Sequence, residues 1–235
     1  MRINKYIAKS GLCSRRKAEE LIINNKVCVN DILVTELAFK VDEKNDIVKV
    51  NGKIISIKEK LVYYLLNKPV GYISSAKDER GRKTVIDLLK DVKERIYPIG
   101  RLDYDTSGLL LLTNDGDLTY KITHPKHNIK KTYEAYIEGV PTKEEISSFE
   151  KGLKIEDYTT SKAKFDIVNI KGKNSIVSIT IHEGKNRQVR KMCDKINHPV
   201  IKLKRVSIGN IKLNNLIEGK YRPLNKEEIK YLYSL

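Results

Sequence analysis

The sequence is poor in cysteine, and the cysteines it has are badly placed for building anything. Cys13, Cys28 and Cys193 are odd in number, far apart and in no Cys-x-x-Cys pair, so neither a disulfide framework nor a zinc site is expected. A reducing cytoplasm fits such usage. Long apolar runs are missing as well. None approaches the roughly 18 residues of a membrane span, and Lys5 and Lys9 stand where a signal peptide would need an apolar core. A soluble protein with no membrane partner is the expectation. The chain also lacks a glycine-rich phosphate loop and any clear internal repeat. His124, His127, His182 and His198 show no metal-ligand spacing and read as structural or RNA-facing, since a transition metal needs two or three convergent ligands.

Positive charge is present in excess. Lys and Arg number 46 against 30 Asp and Glu, a net +16 with a pI near 9.6. That balance points to a polyanionic partner, nucleic acid before membrane. Residues 1–58 contribute +5 and the remainder +11, so the charge is not a detachable tail. At 235 residues and 40% hydrophobic content the chain can bury a real core, as one large or two small domains.

One stretch organises the rest. Residues 100–108 run Gly-Arg-Leu-Asp-Tyr-Asp-Thr-Ser-Gly, then come Leu109 to Leu112 and Thr113-Asn-Asp-Gly-Asp117. Acidic, small and glycine residues favour a loop, and consecutive leucines bounded by turn signals suit a strand buried on both faces. A carboxylate is thus presented beside a stiff core element, where enzymes place reacting groups. The spacing Asp103-x-Asp105-x-Ser107 also imitates half of a calcium loop, but Asn114 stands where the bidentate Glu belongs. For Asp105, Asp115 and Asp117 the better reading is a carboxylate accepting backbone hydrogen bonds in a turn.

Residues 1–58 read as a small basic module. Ile3, Ile7 and Ala8 mark a helix ending at Gly11. Ser14 can cap a second, whose stripe is Ala18, Leu21 and Ile22. Arg15, Arg16 and Lys17 crowd the positive end of that helix, an unfavourable arrangement that a bound phosphate would reverse. Short strands are expected at 26–30 and 46–51, and the lysine-rich passage Lys53 to Lys60 reads as a linker.

The larger region, residues 59–235, offers strands at 61–66, 133–137, 165–170 and 175–181 and helices at 85–89, 143–150, 185–196 and 226–232. This is an α+β pattern with a mostly antiparallel sheet. Val189, Met192, Cys193 and Ile196 form the core stripe of the helix after Gly184, which leaves Arg190 at its border, placed to meet a carboxylate in a partly dry cleft. A surface salt bridge or a snorkelling side chain is the plainer alternative. Eight Lys or Arg against Asp194 alone lie between Lys185 and Arg205. Tyr133, a core or interface aromatic on its own, is also a face on which an extruded base could stack.

Two resemblances sharpen these readings. Arg2-Ile3-Asn4-Lys5-Tyr6, Ser14-Arg15-Arg16-Lys17-Ala18 and Val27-x-Val29-Asn30 resemble the S4-type RNA-binding domain. That likeness implies RNA contacts from Arg2, Lys5, Ser14, Arg15, Arg16, Lys17 and Lys26. Asn67-Lys68-Pro69-x-Gly71, Gly100-Arg101-Leu102-Asp103, Lys131-Thr132-Tyr133, the run Glu183 to Met192, and Leu203-Lys204-Arg205-Val206-x-Ile208-Gly209 together resemble the bacterial rRNA pseudouridine synthases that carry an S4-type domain.

The resemblance implies isomerisation of a uridine in ribosomal RNA, most like the members acting on 23S rRNA, with no cofactor, no metal and a monomeric, cytoplasmic enzyme. It implies Asp103 as catalytic aspartate, Arg190 as its ionic partner, Tyr133 as stacking face, and Arg101, Arg187, Lys191, Lys204 and Arg205 on flanking phosphates. The same reaction on 16S rRNA, and a ribosome-associated RNA-binding protein without catalysis, are the alternatives.

Overall fold

The computed structural model describes residues 1–57 and 60–235. These form two compact units: Met1–Val62 with Val92–Arg95 and Asn114–Gly116, and Tyr63–Asp91 with Ile96–Thr113 and Asp117–Leu235.

The smaller unit holds helices α1 (Ile3–Lys9) and α2 (Arg15–Ile23) and strands β1 (Val27–Val29), β2 (Ile32–Leu33), β3 (Val48–Val50) and β4 (Lys53–Ile55), the sheet running β2-β1-β3-β4. The apolar positions read from the sequence make its core: Ile3, Ile7, Ala18, Ile22, Val27 and Val48 are fully buried. Ser14 caps α2 by accepting from the Lys17 amide at 3.2 Å. Lys53 to Lys60 is not wholly a linker. It opens with β4, an edge strand that Asn51 and Gly52, both at positive φ, turn back onto β3. Lysine on an exposed edge strand imitates linker composition. Residues 58 and 59 of that passage lie outside the described residues.

The larger unit is built on a nine-stranded sheet. Its strands are β5 (Tyr63–Lys68), β6 (Tyr97–Ile99), β7 (Ser107–Thr113), β8 (Lys131–Ile137), β11 (Lys164–Lys171), β12 (Asn174–Ile181), β13 (Val200–Ile208), β14 (Ile211–Lys212) and β15 (Tyr221–Pro223). A separate hairpin joins β9 (Lys154–Ile155) and β10 (Tyr158–Thr159). The order is β11-β12-β8-β13-β7-β5-β15, with β6 on β7 and β14 on β13, and β7 with β13 is the one parallel pair among these strands. Helices α3 (Gly116–Thr123), α4 (Lys143–Lys151), α5 (Gln188–Lys195) and α6 (Lys226–Ser234) complete the α+β fold, and a 3-10 turn spans Val85–Leu88. No helix among the described residues is long and apolar enough to cross a membrane.

All of β7 is buried. Leu109 and Leu111 join a cluster with Leu65, Leu118 and Leu232, and by strand alternation Leu110 and Leu112 fill the opposite face. At about 1.5 to 3 kcal/mol for each fully buried leucine, this strand is the anchor to which the preceding loop is tied. β5 continues through Asn67 and Lys68, where the sequence suggested a stop. α5 begins later than Lys185 because Arg187 at its N-cap is left-handed, φ 51°.

Candidate active site

Residues 100–106 lie between β6 and β7, and five consecutive main-chain carbonyls of this loop are each bound. Leu102 O accepts from Ser74 Oγ at 2.9 Å, and Tyr104 O from the Gly71 amide at 2.9 Å. Asp103 O and Thr106 O accept from Lys68 Nζ at 3.1 and 2.9 Å. Asp105 O accepts from Arg190 Nη2 at 2.8 Å. Lys68 is 0% exposed, and its third donor goes to Pro69 O at 3.0 Å. Burial pushes its pKa down to about 8, against the opposing pull of Asp103 and Asp105. A lysine with three fixed carbonyl partners works as a bracket for the loop. In the sequence Lys68 carries no signal beyond its place in the motif Asn67-Lys68-Pro69.

The two aspartates of the loop differ. Asp105 takes a bidentate pair from Arg187, both bonds 3.0 Å, and has Arg190 Nε 3.3 Å from Oδ2, too poorly aligned to count as a hydrogen bond. Burial raises its pKa, but the Arg187 bonds and the Arg190 charge outweigh that and hold the carboxyl below its usual range. The Asp103 carboxylate makes no ion pair or side-chain hydrogen bond with a described residue. The expected Asp103–Arg190 pair is therefore corrected: Arg190 binds Asp105, and its Nη1 binds Val200 O at 3.1 Å. Spacing on α5 could place Arg190 at a cleft, yet could not say which of two acids two residues apart would face it.

Asp103 lines a cavity of about 620 Å³, within the usual range for a small-ligand site. Tyr133 of β8, 8% exposed, lines the same cavity with Arg101, Lys131, Arg187 and Arg205. Lys131 Nζ donates to Ile129 O at 3.2 Å, and burial first, then the Arg205 charge, lowers its pKa. A half-buried anion, an aromatic face and several cations thus share one opening, which is an arrangement for an extruded nucleotide.

Comparison with known proteins gives the family. Residues 62–195 match the family model described as RNA pseudouridylate synthase, and residues 1–48 match the S4 domain. The chain belongs to the RNA pseudouridylate synthase family. It is 50% identical over 236 residues to the ribosomal large subunit pseudouridine synthase B of Bacillus subtilis, covering 100% of this chain and 96% of that protein. Identity to the dual-specificity RNA pseudouridine synthase RluF of Escherichia coli is 38% over 237 residues, covering 100% of this chain and 79% of the relative. A solved pseudouridylate synthase superposes with a TM-score of 0.71 at 30% identity, covering 99% of each chain.

The synthase motifs converge only in part. Asp103, Tyr133, Arg101, Arg187 and Arg205 come together at the cavity, whereas Arg190, Lys191 and Lys204 are not part of its lining. Two phosphate assignments change. Both terminal nitrogens of Arg187 are committed to Asp105, and Arg205 is only 3% exposed, too buried to reach a phosphate outside the cavity. Lys191 Nζ lies 2.9 Å from Glu156. In the smaller unit Arg2, Ser14, Arg15, Arg16, Lys17 and Lys26 are exposed, with Lys17 paired to Glu20 at 2.5 Å, and Lys5 is half-buried. His198 is a structural histidine, Nδ1 2.7 Å from Glu138 O and Nε2 3.3 Å from Glu145.

Proposed function

We propose that the protein isomerises one uridine of large-subunit (23S) ribosomal RNA to pseudouridine, with Asp103 as the reacting carboxylate and Tyr133 as the face on which the flipped base stacks. The reaction breaks the bond from C1′ of the ribose to N1 of uracil, turns the base, and joins C1′ to C5. The proton leaves C5 and N1 gains one, so the change is neutral in electrons and atoms. A carboxylate can serve by adding to the sugar or base or by taking a proton. The observation that carries this reading is the loop itself: every carbonyl from Leu102 to Thr106 is bound, while the Asp103 carboxylate is left open to the cavity. Fixing the reacting atom in place beforehand removes much of the entropic cost of reaching the transition state.

Arg187 and Arg190 serve as positioning residues for the loop through Asp105. Arg101, exposed at the cavity wall, is a contact for backbone phosphate, and the basic face of α2 grips neighbouring RNA. The enzyme works as a monomer, in the compartment where ribosomal RNA is assembled. The large-subunit target rests on likeness to the Bacillus subtilis relative.

Depleting the protein in its host and mapping pseudouridines across both rRNAs tests the reading. One site in 23S rRNA is expected to vanish. A lost site in 16S rRNA moves the target, and no lost site refutes the function. Asp103→Asn, nearly isosteric, is expected to give no product while RNA affinity stays within a few-fold. Conversion at the parent rate removes Asp103 from the mechanism.

A further inference from the structure

Asp103 and Tyr133 leave two buried polar groups of the same cavity wall without a task. Arg205 donates from Nε to Leu109 O at 2.8 Å, but its Nη2 has no hydrogen-bond partner among the described residues. Thr106 Oγ1, on a residue 2% exposed, likewise has none. Both residues line the cavity. Buried donors are almost always satisfied, and a charged one left unmet is especially unfavourable, so an orphan guanidinium nitrogen beside a ligand cavity implies a partner supplied from outside.

The position of Arg205 is built into the sheet. β13 lies parallel to β7 with Arg205 opposite Gly108, and a Cβ on Gly108 would fall 2.2 Å from Arg205 O and 2.6 Å from its N. Glycine there, at φ +107°, permits the close approach that brings Arg205 beside the loop. On its other side β13 pairs with β8, Arg205 opposite Tyr133, so ring and guanidinium stand on one face of the sheet. A base stacked on Tyr133 would have its edge near the guanidinium.

We infer that Arg205 is a specificity-determining residue whose free terminal nitrogen donates to a carbonyl oxygen of the flipped uracil. This rests on the isomerase reading above. A guanidinium can only donate, so it donates to the oxygen at C2 or C4 of uracil, and at C4 it opposes the amine that cytosine carries there. The Thr106 hydroxyl donates or accepts and suits the adjacent ring N3–H. Selecting uridine by the donor character of one buried arginine explains a group that phosphate binding does not.

The probe is an RNA stem-loop spanning the mapped uridine, made with uridine, 2-thiouridine or 4-thiouridine at that position. Sulfur accepts hydrogen bonds weakly, so the parent enzyme is expected to lose on the order of 10- to 100-fold in kcat/KM on one thio-RNA. Arg205→Gln should lose a similar factor on uridine and little more on that thio-RNA, a non-additivity that a scaffold role would not produce. Equal losses by Arg205→Gln on all RNAs overturn the inference, as does a reduced salt slope with thio sensitivity intact, which marks a phosphate contact. If Arg205→Gln fails to fold, Arg205→Lys and the parent enzyme's own response decide. Indifference of the parent to both thio-RNAs overturns the inference with no variant needed. Asp103→Asn runs beside them: activity there sinks the assignment of Asp103 without touching Arg205, and a map with no lost uridine sinks both.

Discussion

The cations of the catalytic loop and those at the start of α2 are used in opposite ways. Around residues 102–106, Lys68, Arg187 and Arg190 are bound to carbonyls or to Asp105, and Lys68 and Arg190 are buried. At the start of α2, Arg15 and Arg16 are exposed at the positive end of a helix, where their charge works against the fold. Bound cations fix geometry and free cations attract RNA. Changing the first kind should therefore lower kcat, and changing the second kind should weaken affinity and its salt dependence. A bound cation whose loss weakens affinity, or a free one whose loss lowers kcat, would reverse that division of labour.

Lys68→Met should do the most damage. Methionine keeps the apolar stem in place, but the Pro69 and Thr106 carbonyls lose the bracket and Asp103 O keeps only the Thr106 amide. Misplacing a reacting group by about 1 Å can cost 10²-fold, so kcat should fall on the order of 100-fold or more while RNA affinity changes little. A kcat within a few-fold of the parent breaks the comparison at its strongest point.

The same lysine sets a pH signature. Its pKa in the fold, about 8, lies below the unfolded value, so the native state binds the proton more weakly. Between pH 8 and the unfolded pKa the unfolded chain holds more protons, and this group makes stability rise with pH. Activity should move the other way, because a neutral amine has two donors for three carbonyls. A fall in kcat with a midpoint near 8, present in the parent and absent from the residual activity of Lys68→Met, is the expected profile. A flat profile through that range removes the charged form from the bracket.

Asp105→Asn is expected to be milder, because its side chain is 42% exposed. Arg190 would keep its bonds to Val200 O and Asp105 O but lose its counter-charge. Stability should drop by about 0.5 to 1.5 kcal/mol and kcat by roughly tenfold, with the salt slope of RNA binding unchanged. Since the Asp105 pKa is held below the usual carboxylate range, the parent's advantage is present above the unfolded pKa and disappears as pH falls through the folded one. Unfolding curves of the two proteins that fail to converge in acid would place the advantage elsewhere.

What could be read from the sequence follows from periodicity. Leu109 to Leu112 and the stripe Val189, Met192, Cys193 and Ile196 declared a doubly buried strand and a packed helix, and both are there. β13 went unread because Arg205 stands in the apolar slot that follows Ile201 and Leu203, and so the strand that makes the parallel pairing gave too short an alternation to read. Lys68 was hidden for a different reason. Lysine is among the residues least often fully buried, and only the converging carbonyls of a folded loop make that position tolerable. The choice between Asp103 and Asp105 as partner of Arg190 depends on how the loop curls, with the Thr106 amide bonded to Asp103 O at 3.1 Å, and no spacing rule encodes that.

The smallest effect on turnover should come from Arg15→Gln with Arg16→Gln. Neither side chain holds part of the catalytic loop, so kcat at saturating RNA should match the parent. Removing two positive charges from the N-terminal end of α2 relieves repulsion, and stability should rise by a few tenths of a kcal/mol. RNA affinity should fall, and the slope of log K against log salt should become shallower by about one to two, because each phosphate contact contributes roughly 0.7 to 0.9. Stability and affinity thus move in opposite directions, which a merely damaged fold cannot reproduce. Unchanged affinity and slope would leave these arginines as solvated charge and shift the RNA-gripping role to other cations of the chain.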